Sequence, residues 1–236
     1  MKKSAFIGAI TMAVMSISLA LATPQQAVTQ VRGNATQVLS ILSKANGTND
    51  AQVRRQAENY AVPYFDFERM TALAVGNPWR NASAAQKKAL TQEFKTLLIR
   101  TYSGTMLKFK DAKVTVRDNP VVNRGGQEVI VRTEVVAAGG GKPVNMDYTL
   151  YQSGGKYRVY NVAVEGASLV TVYRNQFGQT IGQKGIDGLI ADLKSKNGPI
   201  AHECRVQRRG GGFTGRCYHG HGGCRAIPSL LPSSGR

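Results

Sequence analysis

The stretch Lys156–Lys196, KYRVYNVAVEGASLVTVYRNQFGQTIGQKGIDGLIADLKSK, decides how this chain reads. Tyr157 to Val164 is rich in β-branched and aromatic residues and predicts a strand, and Gly166 predicts a sharp turn. Ser168 then caps a helix that places Leu169, Val172, Tyr173, Gln176 and Phe177 along a contiguous surface. Gly185 breaks that helix and a second one follows. The segment builds much apolar surface, yet it contains no Cys, no His and no nucleophile beside a base. Greasy surface with so little reactive chemistry points to binding rather than turnover.

Upstream, the period is two. Val144, Met146, Tyr148 and Leu150 share one face of a strand whose other face carries Asn145 and Asp147. Val129, Val131, Thr133 and Val135 alternate in the same way with Arg132 and Glu134, and Val114 and Val116 mark a further strand. Gly125-Gly126, Gly139-Gly140-Gly141 and Gly154-Gly155 separate these runs, so antiparallel hairpins are the economical reading. Farther upstream the period becomes helical. Gln25–Ser43 carries Val28, Val31, Ala35, Val38, Leu39 and Leu42, and Asn46-Gly47 ends it. Asp50 caps a second helix with Val53, Ala57, Tyr60 and Ala61, which Pro63 interrupts. Phe65-Asp66-Phe67 opens a short helix that stops at Gly76-Asn77-Pro78. Ser83-x-x-Gln86 is a capping box that opens a long helix through Leu90, Phe94, Leu97, Leu98 and Thr101, continuing past Tyr102 and Met106 towards Lys110.

The expected fold is α+β: N-terminal helices, a four-stranded antiparallel sheet and C-terminal helices. Such a sheet has one apolar face that the flanking helices must cover. It can curve around a cavity, but periodicity alone does not tell a hollow interior from a filled one.

The ends differ from this domain. Met1–Ala22 has Lys2 and Lys3, then an uncharged apolar run, then Ala20-Leu21-Ala22, the layout of a secretory signal peptide with a mature chain beginning near Thr23. An uncleaved membrane anchor is the other reading, at the lower edge of spanning length. All three Cys (Cys204, Cys217, Cys224) and all three His (His202, His219, His221) lie beyond Gly198. Residues 199–236 have the composition of a disordered or non-native tail. Zinc ligation by its Cys and His is the alternative, although their spacing matches no standard finger. The domain of residues 23–198 is left without Cys or His, which excludes Cys–His nucleophiles, Ser–His–Asp triads and His-ligated metals there.

The whole chain carries 31 Lys and Arg against 14 Asp and Glu, a formal net charge of +17. Scattered basic charge suits anionic lipid headgroups, envelope polymers or acidic protein surfaces, or simply keeps the surface soluble. No basic helix or aromatic ribbon supports a nucleic-acid partner.

The pieces YFDFERMTALAVGNPWRNASAAQKKALTQEFKTLLIRTYSGTMLKF and KYRVYNVAVEGASLVTVYRNQFGQTIGQKGIDGLIADL resemble the MlaC family, the toluene-tolerance or ABC-transporter auxiliary components. The most specific matches are Phe65-Asp66-Phe67, Trp79-Arg80, Arg100-Thr101-Tyr102, Val164-Glu165-Gly166-x-Ser168 with Tyr173-Arg174, and Gly185-Ile186-Asp187-Gly188-Leu189. Tyr157 and Asn161 stand where the family often has Trp and Asp, and Ala167 where Val is common. The resemblance implies a periplasmic carrier with phospholipid as bound ligand, no other cofactor and no enzymatic activity. It implies two partners, an outer-membrane lipoprotein–porin complex and an inner-membrane ABC transporter with a lipid-binding ring protein, and a role in keeping the outer membrane asymmetric. The implied fold is a curved sheet and helices around an apolar pocket, related to the nuclear-transport-factor-like cone.

On that reading Val129, Val131, Val135, Met146, Tyr148 and Leu150 are expected as the sheet wall of a lipid pocket. Phe94, Leu98, Tyr102 and Met106 are expected as part of the helical wall. Ala167, Leu169 and Val170 are expected near the mouth by analogy with the family motif. The bland alternative for each is ordinary core packing. Trp79, Arg80 and Arg174 read as structural, with Glu165 or Asp187 as partner for Arg174; a headgroup or partner protein facing Arg174 is the other reading. Two other functions stay open: a cone-fold isomerase using a buried carboxylate with a Tyr, for which Asp147 beside Tyr148 is the one tempting pair, and an exported interaction module with a filled interior.

Overall fold

The computed structural model describes residues 23–198 and, beyond them, the backbone of two short strands, His202–Val206 and Phe213–Cys217, which pair antiparallel. The expected signal segment, and the side chains of the tail's Cys and His, lie outside the described residues.

Helix α1 spans Pro24–Leu42 and α2 spans Asp50–Ala61. Pro24 occupies the first turn of α1, where its missing N–H costs nothing. A single 3₁₀ turn, Val62–Tyr64, leads from α2 into α3, Phe67–Val75. Asp66 caps α3 by accepting from the Arg69 backbone N–H at 2.9 Å, and Gly76 ends it at φ 73°, where a side chain is strained. The predicted capping box opens α4, Ala84–Met106: the Gln86 N–H donates to Ser83 Oγ at 3.2 Å, and the Ser83 N–H donates to Gln86 Oε1 at 2.9 Å. Helix α5, Leu169–Asn197, starts on Ser168 and is broken at Gly185, which stands at φ 69°.

The sheet corrects the sequence reading in strand number. Six strands pair, not four: β1 (Lys113–Val116), β2 (Val121–Asn123), β3 (Glu128–Val136), β4 (Val144–Ser153), β5 (Lys156–Val164) and β6 (Ala167–Ser168). All pairings are antiparallel. The two unforeseen strands are too short to show a period. β1 and β2 share one edge of β3, with the residues up to Pro120 bridging them. β6 covers β5 at Ala163 and Val164. The β4–β5 register shifts between Thr149 and Leu150, and such a bulge bends the strand and sharpens its twist. Farther along β5, Phe65 makes a parallel bridge to Val159.

Three apolar clusters hold the molecule together. The first joins α3, α4 and α5 around Phe94, Met70, Leu90 and Leu193, with Tyr160 of the sheet. The second joins the start of α1 (Ala27, Val28, Val31) to Val129, Val131, Leu150 and Val159. The third joins the end of α1 to α2 through Ile41, Leu42, Val53 and Ala57.

Candidate lipid-binding site

The second and third clusters do not close on each other, and an apolar cavity of about 350 Å³ lies between them. Helix α1 supplies Val31, Asn34, Ala35, Val38, Leu39 and Leu42, the stripe that its helical period aligns. The turn after α2 adds Ala61, Tyr64 and Phe65. The end of α4 adds Tyr102, Thr105 and Met106, followed by Phe109. The sheet adds Val114, Thr133, Val135, Val144, Met146, Tyr148 and Val159. No charged residue among the described residues lines the space.

The few polar liners are turned to local partners. Thr133 Oγ1 donates to the Met146 carbonyl at 3.0 Å, and Thr105 Oγ1 donates to the Tyr102 carbonyl at 2.8 Å. Asn34 Oδ1 accepts from the Tyr60 hydroxyl at 3.1 Å. The Tyr148 hydroxyl meets the Met146 sulfur at 3.9 Å, a weak acceptor, and burial pushes its pKa above the ordinary phenol value. The wall therefore presents hydrocarbon and aromatic carbon. Water gains little from such a wall, so an apolar occupant is favoured.

Of the residues expected from sequence, Tyr102, Met106, Val135, Met146 and Tyr148 are brought together on this wall. Val129, Val131 and Leu150 lie in the second cluster with no exposed surface, and Leu169 packs against that cluster. Phe94, Leu98 and Val170 belong to the α3–α4–α5 cluster, and Ala167 is exposed. The α1 stripe and the Tyr64-Phe65 turn were not among the expected liners. Their sequence signal was the apolar stripe of α1 from Val31 to Leu42, which reads equally well as ordinary core.

Asp147 and Tyr148 are separated, as strand alternation requires. Asp147 lines a polar groove with Arg117, Asn119, Arg132, Thr133 and Asn145, whereas Tyr148 faces the apolar cavity. Arg174 meets neither expected acid. Glu165 accepts from the Asn145 N–H at 2.5 Å and lies 4.0 Å from Lys142 Nζ, and Asp187 accepts from Gln86 Nε2 at 2.8 Å. The Arg174 guanidinium instead lies over Gly76, where a Cβ would come within 3.4 Å of its Nε.

Away from the cavity, Arg69 is held between two rings, 4.1 Å from the centroid of Tyr151 and 4.2 Å from that of Tyr160. The Tyr151 hydroxyl donates to Asp66, and the Tyr160 hydroxyl donates to Glu128. Burial and then Glu128 push the Tyr160 pKa up to about 12. For Glu128, burial alone acts to raise the pKa. Hydrogen bonds from Tyr160 and Asn123, with Arg124 and Arg69 nearby, outweigh it and hold the carboxyl below its ordinary value. This network ties α3 to the sheet.

The MlaC protein family model matches residues 32–195, which takes in every cavity-lining residue except Val31. The chain belongs to the MlaC family. A curated relative, toluene tolerance protein ttg2D of Pseudomonas putida, is 28% identical over 108 residues; the match takes in 46% of this chain and 49% of that protein. The chain thus aligns with about half the length of that relative. Among solved structures, the phospholipid-binding protein of Ralstonia solanacearum, solved in complex with a phospholipid, superposes with a TM-score of 0.64 at 29% identity. That match covers 75% of this chain and 97% of the other. The α+β architecture expected from the sequence is the one observed, with the strand number corrected. No helix among the described residues is long and apolar enough to cross a membrane.

Proposed function

We propose that this MlaC-family protein binds phospholipid through its acyl chains in the α1–sheet cavity and carries it through the periplasm. The observation that carries this reading is the uncharged wall, whose polar groups are already turned to local partners. The phospholipid held by the Ralstonia relative supports it. Each CH₂ moved from water into such a space gains about 0.8 kcal/mol. Most of that gain is also available in the donor membrane, so the net affinity is set by small differences. A carrier needs that balance in order to load and unload.

The cavity is at the lower end of the range for small-ligand sites, about 300–1,000 Å³. A diacyl lipid is larger than the ligands such sites hold, so loading requires the end of α1 and the Tyr64-Phe65 turn to part from the sheet. The half-buried state of Ala35, Val38 and Leu39 is consistent with that movement. The protein on this reading is a carrier and not an enzyme, follows an export signal into the periplasm, and exchanges lipid with an outer-membrane lipoprotein–porin complex and an inner-membrane ABC transporter bearing a ring protein.

The test is transfer of a fluorescent phospholipid between donor and acceptor vesicles separated by a membrane that passes only protein. Transfer proportional to protein concentration is expected. No transfer above the protein-free rate would overturn the reading.

A further inference from the structure

A second groove, of about 560 Å³, adjoins the apolar cavity. Tyr64 lines both spaces. The Tyr60 hydroxyl, on the groove side, donates to Asn34, on the cavity side, at 3.1 Å. Tyr60 and Tyr64 thus form a thin partition, with ring centroids 5.5 Å apart. Lys156 and Arg158 line the groove together with Asn59 and Ser153, and no carboxylate among the described residues does. Neither cation has an acidic partner within 4.0 Å among the described residues. The Arg158 guanidinium is fixed by donating Nη2–H to the Phe65 carbonyl at 2.9 Å, while its buried Nε–H has no acceptor.

We propose that this groove binds the phosphodiester of the lipid whose chains occupy the cavity, with Lys156 and Arg158 as its cationic contacts. Arginine and lysine donors match phosphate oxygens in charge and geometry, and hydroxyl groups on Tyr64 and Ser153 add neutral donors. An amphipathic molecule laid across Tyr64 puts hydrocarbon on one side and anionic oxygen on the other. The other basic groove does not fit this role. It contains Asp147, and its Arg117 is paired with Glu134 at 2.9 Å, so an anion there would meet a carboxylate and a cation already neutralised. The inference rests on the lipid-binding reading and adds to it a headgroup requirement: a phosphate near the partition, with little demand on what is esterified beyond it.

The experiment uses the exported full chain and vesicles of phosphatidylcholine containing either fluorescent-chain phosphatidylglycerol or fluorescent-chain diacylglycerol. Uptake is compared for the wild type, Lys156→Glu, Lys156→Arg and Lys88→Glu. Lys88 is an exposed residue of α4 that does not line the groove, so its variant controls for the change in net charge. Lys156→Glu is expected to weaken phosphatidylglycerol uptake about tenfold, as loss of a hydrogen bond to a charged group does, and to leave diacylglycerol uptake unchanged. Lys156→Arg is expected to restore it and Lys88→Glu to behave as wild type. Equal phosphatidylglycerol uptake by Lys156→Glu and Lys88→Glu overturns the headgroup site and leaves the apolar cavity standing. Failure of the wild type to take up either lipid overturns the lipid-binding reading itself. A ³¹P measurement with inorganic phosphate gives the remaining arm. Binding of free phosphate that Lys156→Glu abolishes, with lipid uptake indifferent to both, would make the groove a site for free phosphate and sink the proposal.

Discussion

Helix α4 passes through two different interiors. In its first half Leu90, Phe94 and Leu98 are buried among α3 and α5, and Phe94 packs edge-on to Tyr173 at 4.9 Å and to Phe177 at 5.0 Å. One turn beyond Leu98, Tyr102 is 40% exposed, and with Met106 it faces the cavity under α1. The same helix, with the same spacing of apolar residues, closes a solid core at one end and walls a hollow at the other. What separates the two is the partner. Helix α5 brings Tyr173, Phe177, Leu189, Ile190 and Leu193 against the first half. Opposite the second half, α1 presents Asn34 and Ala35 together with Val31, Val38, Leu39 and Leu42, and these leave the space above the sheet open. The hollow lies where the covering element changes from α5 to α1, with the spacing of the α4 wall unchanged.

Several substitutions break or sharpen this contrast. Phe94→Ala removes a ring from the solid side and is expected to cost about 3–5 kcal/mol, whereas Val135→Ala removes methyl groups from a wall already facing empty space and is expected to cost under about 1 kcal/mol. Urea denaturation of the two variants measures the difference, and equal losses would mean that the hollow is as tightly packed as the bundle. Trp insertion probes the same contrast from the other direction. Ala74→Trp overfills the bundle, where Ala74 has no exposed surface, and should destabilise by about 1–3 kcal/mol. Ala35→Trp fills the cavity and should be neutral or stabilising by up to about 2 kcal/mol, as read from the shift in Tm.

The smallest expected effect is on acid stability. The Glu128 pKa is held below its ordinary 4.5 in the folded protein, so the stability it contributes is fully present above pH 4.5 and is lost as the pH falls through the folded value. The cavity wall has no carboxylate, so this sensitivity belongs to the side where Tyr160 and Arg69 meet. Between pH 4.5 and 2 the Tm of the wild type should fall more steeply than that of Glu128→Gln. Parallel slopes would assign the acid sensitivity elsewhere.

The sequence carried the elements better than the spaces between them. Ser83 and Gln86, the break at Gly185, and the alternation from Val144 to Leu150 are local signals, and local chemistry decides them. Val121–Asn123 and Ala167–Ser168 became strands because the sheet edges at Val129–Ile130 and Ala163–Val164 were open to them, which no short window of sequence records. The candidate site was harder to read for a related reason. Val131 and Val135 lie on the same face of β3, yet the first is sealed under the start of α1 and the second borders the cavity. Alternation tells which face a side chain takes. Whether a helix reaches down to meet it depends on residues a hundred positions away, and so Leu98 and Tyr102, or Leu150 and Tyr148, look alike until the chain is folded.

The central claim is that the space between α1 and the sheet is a seat for acyl chains. Native mass spectrometry of the wild type and Ala35→Trp, purified side by side without harsh detergent from an exporting host, tests it most directly. The account predicts a co-purifying phospholipid mass on the wild type and none on the Trp variant, with both chains folded. An empty wild type, or the same lipid load on both proteins, would contradict it.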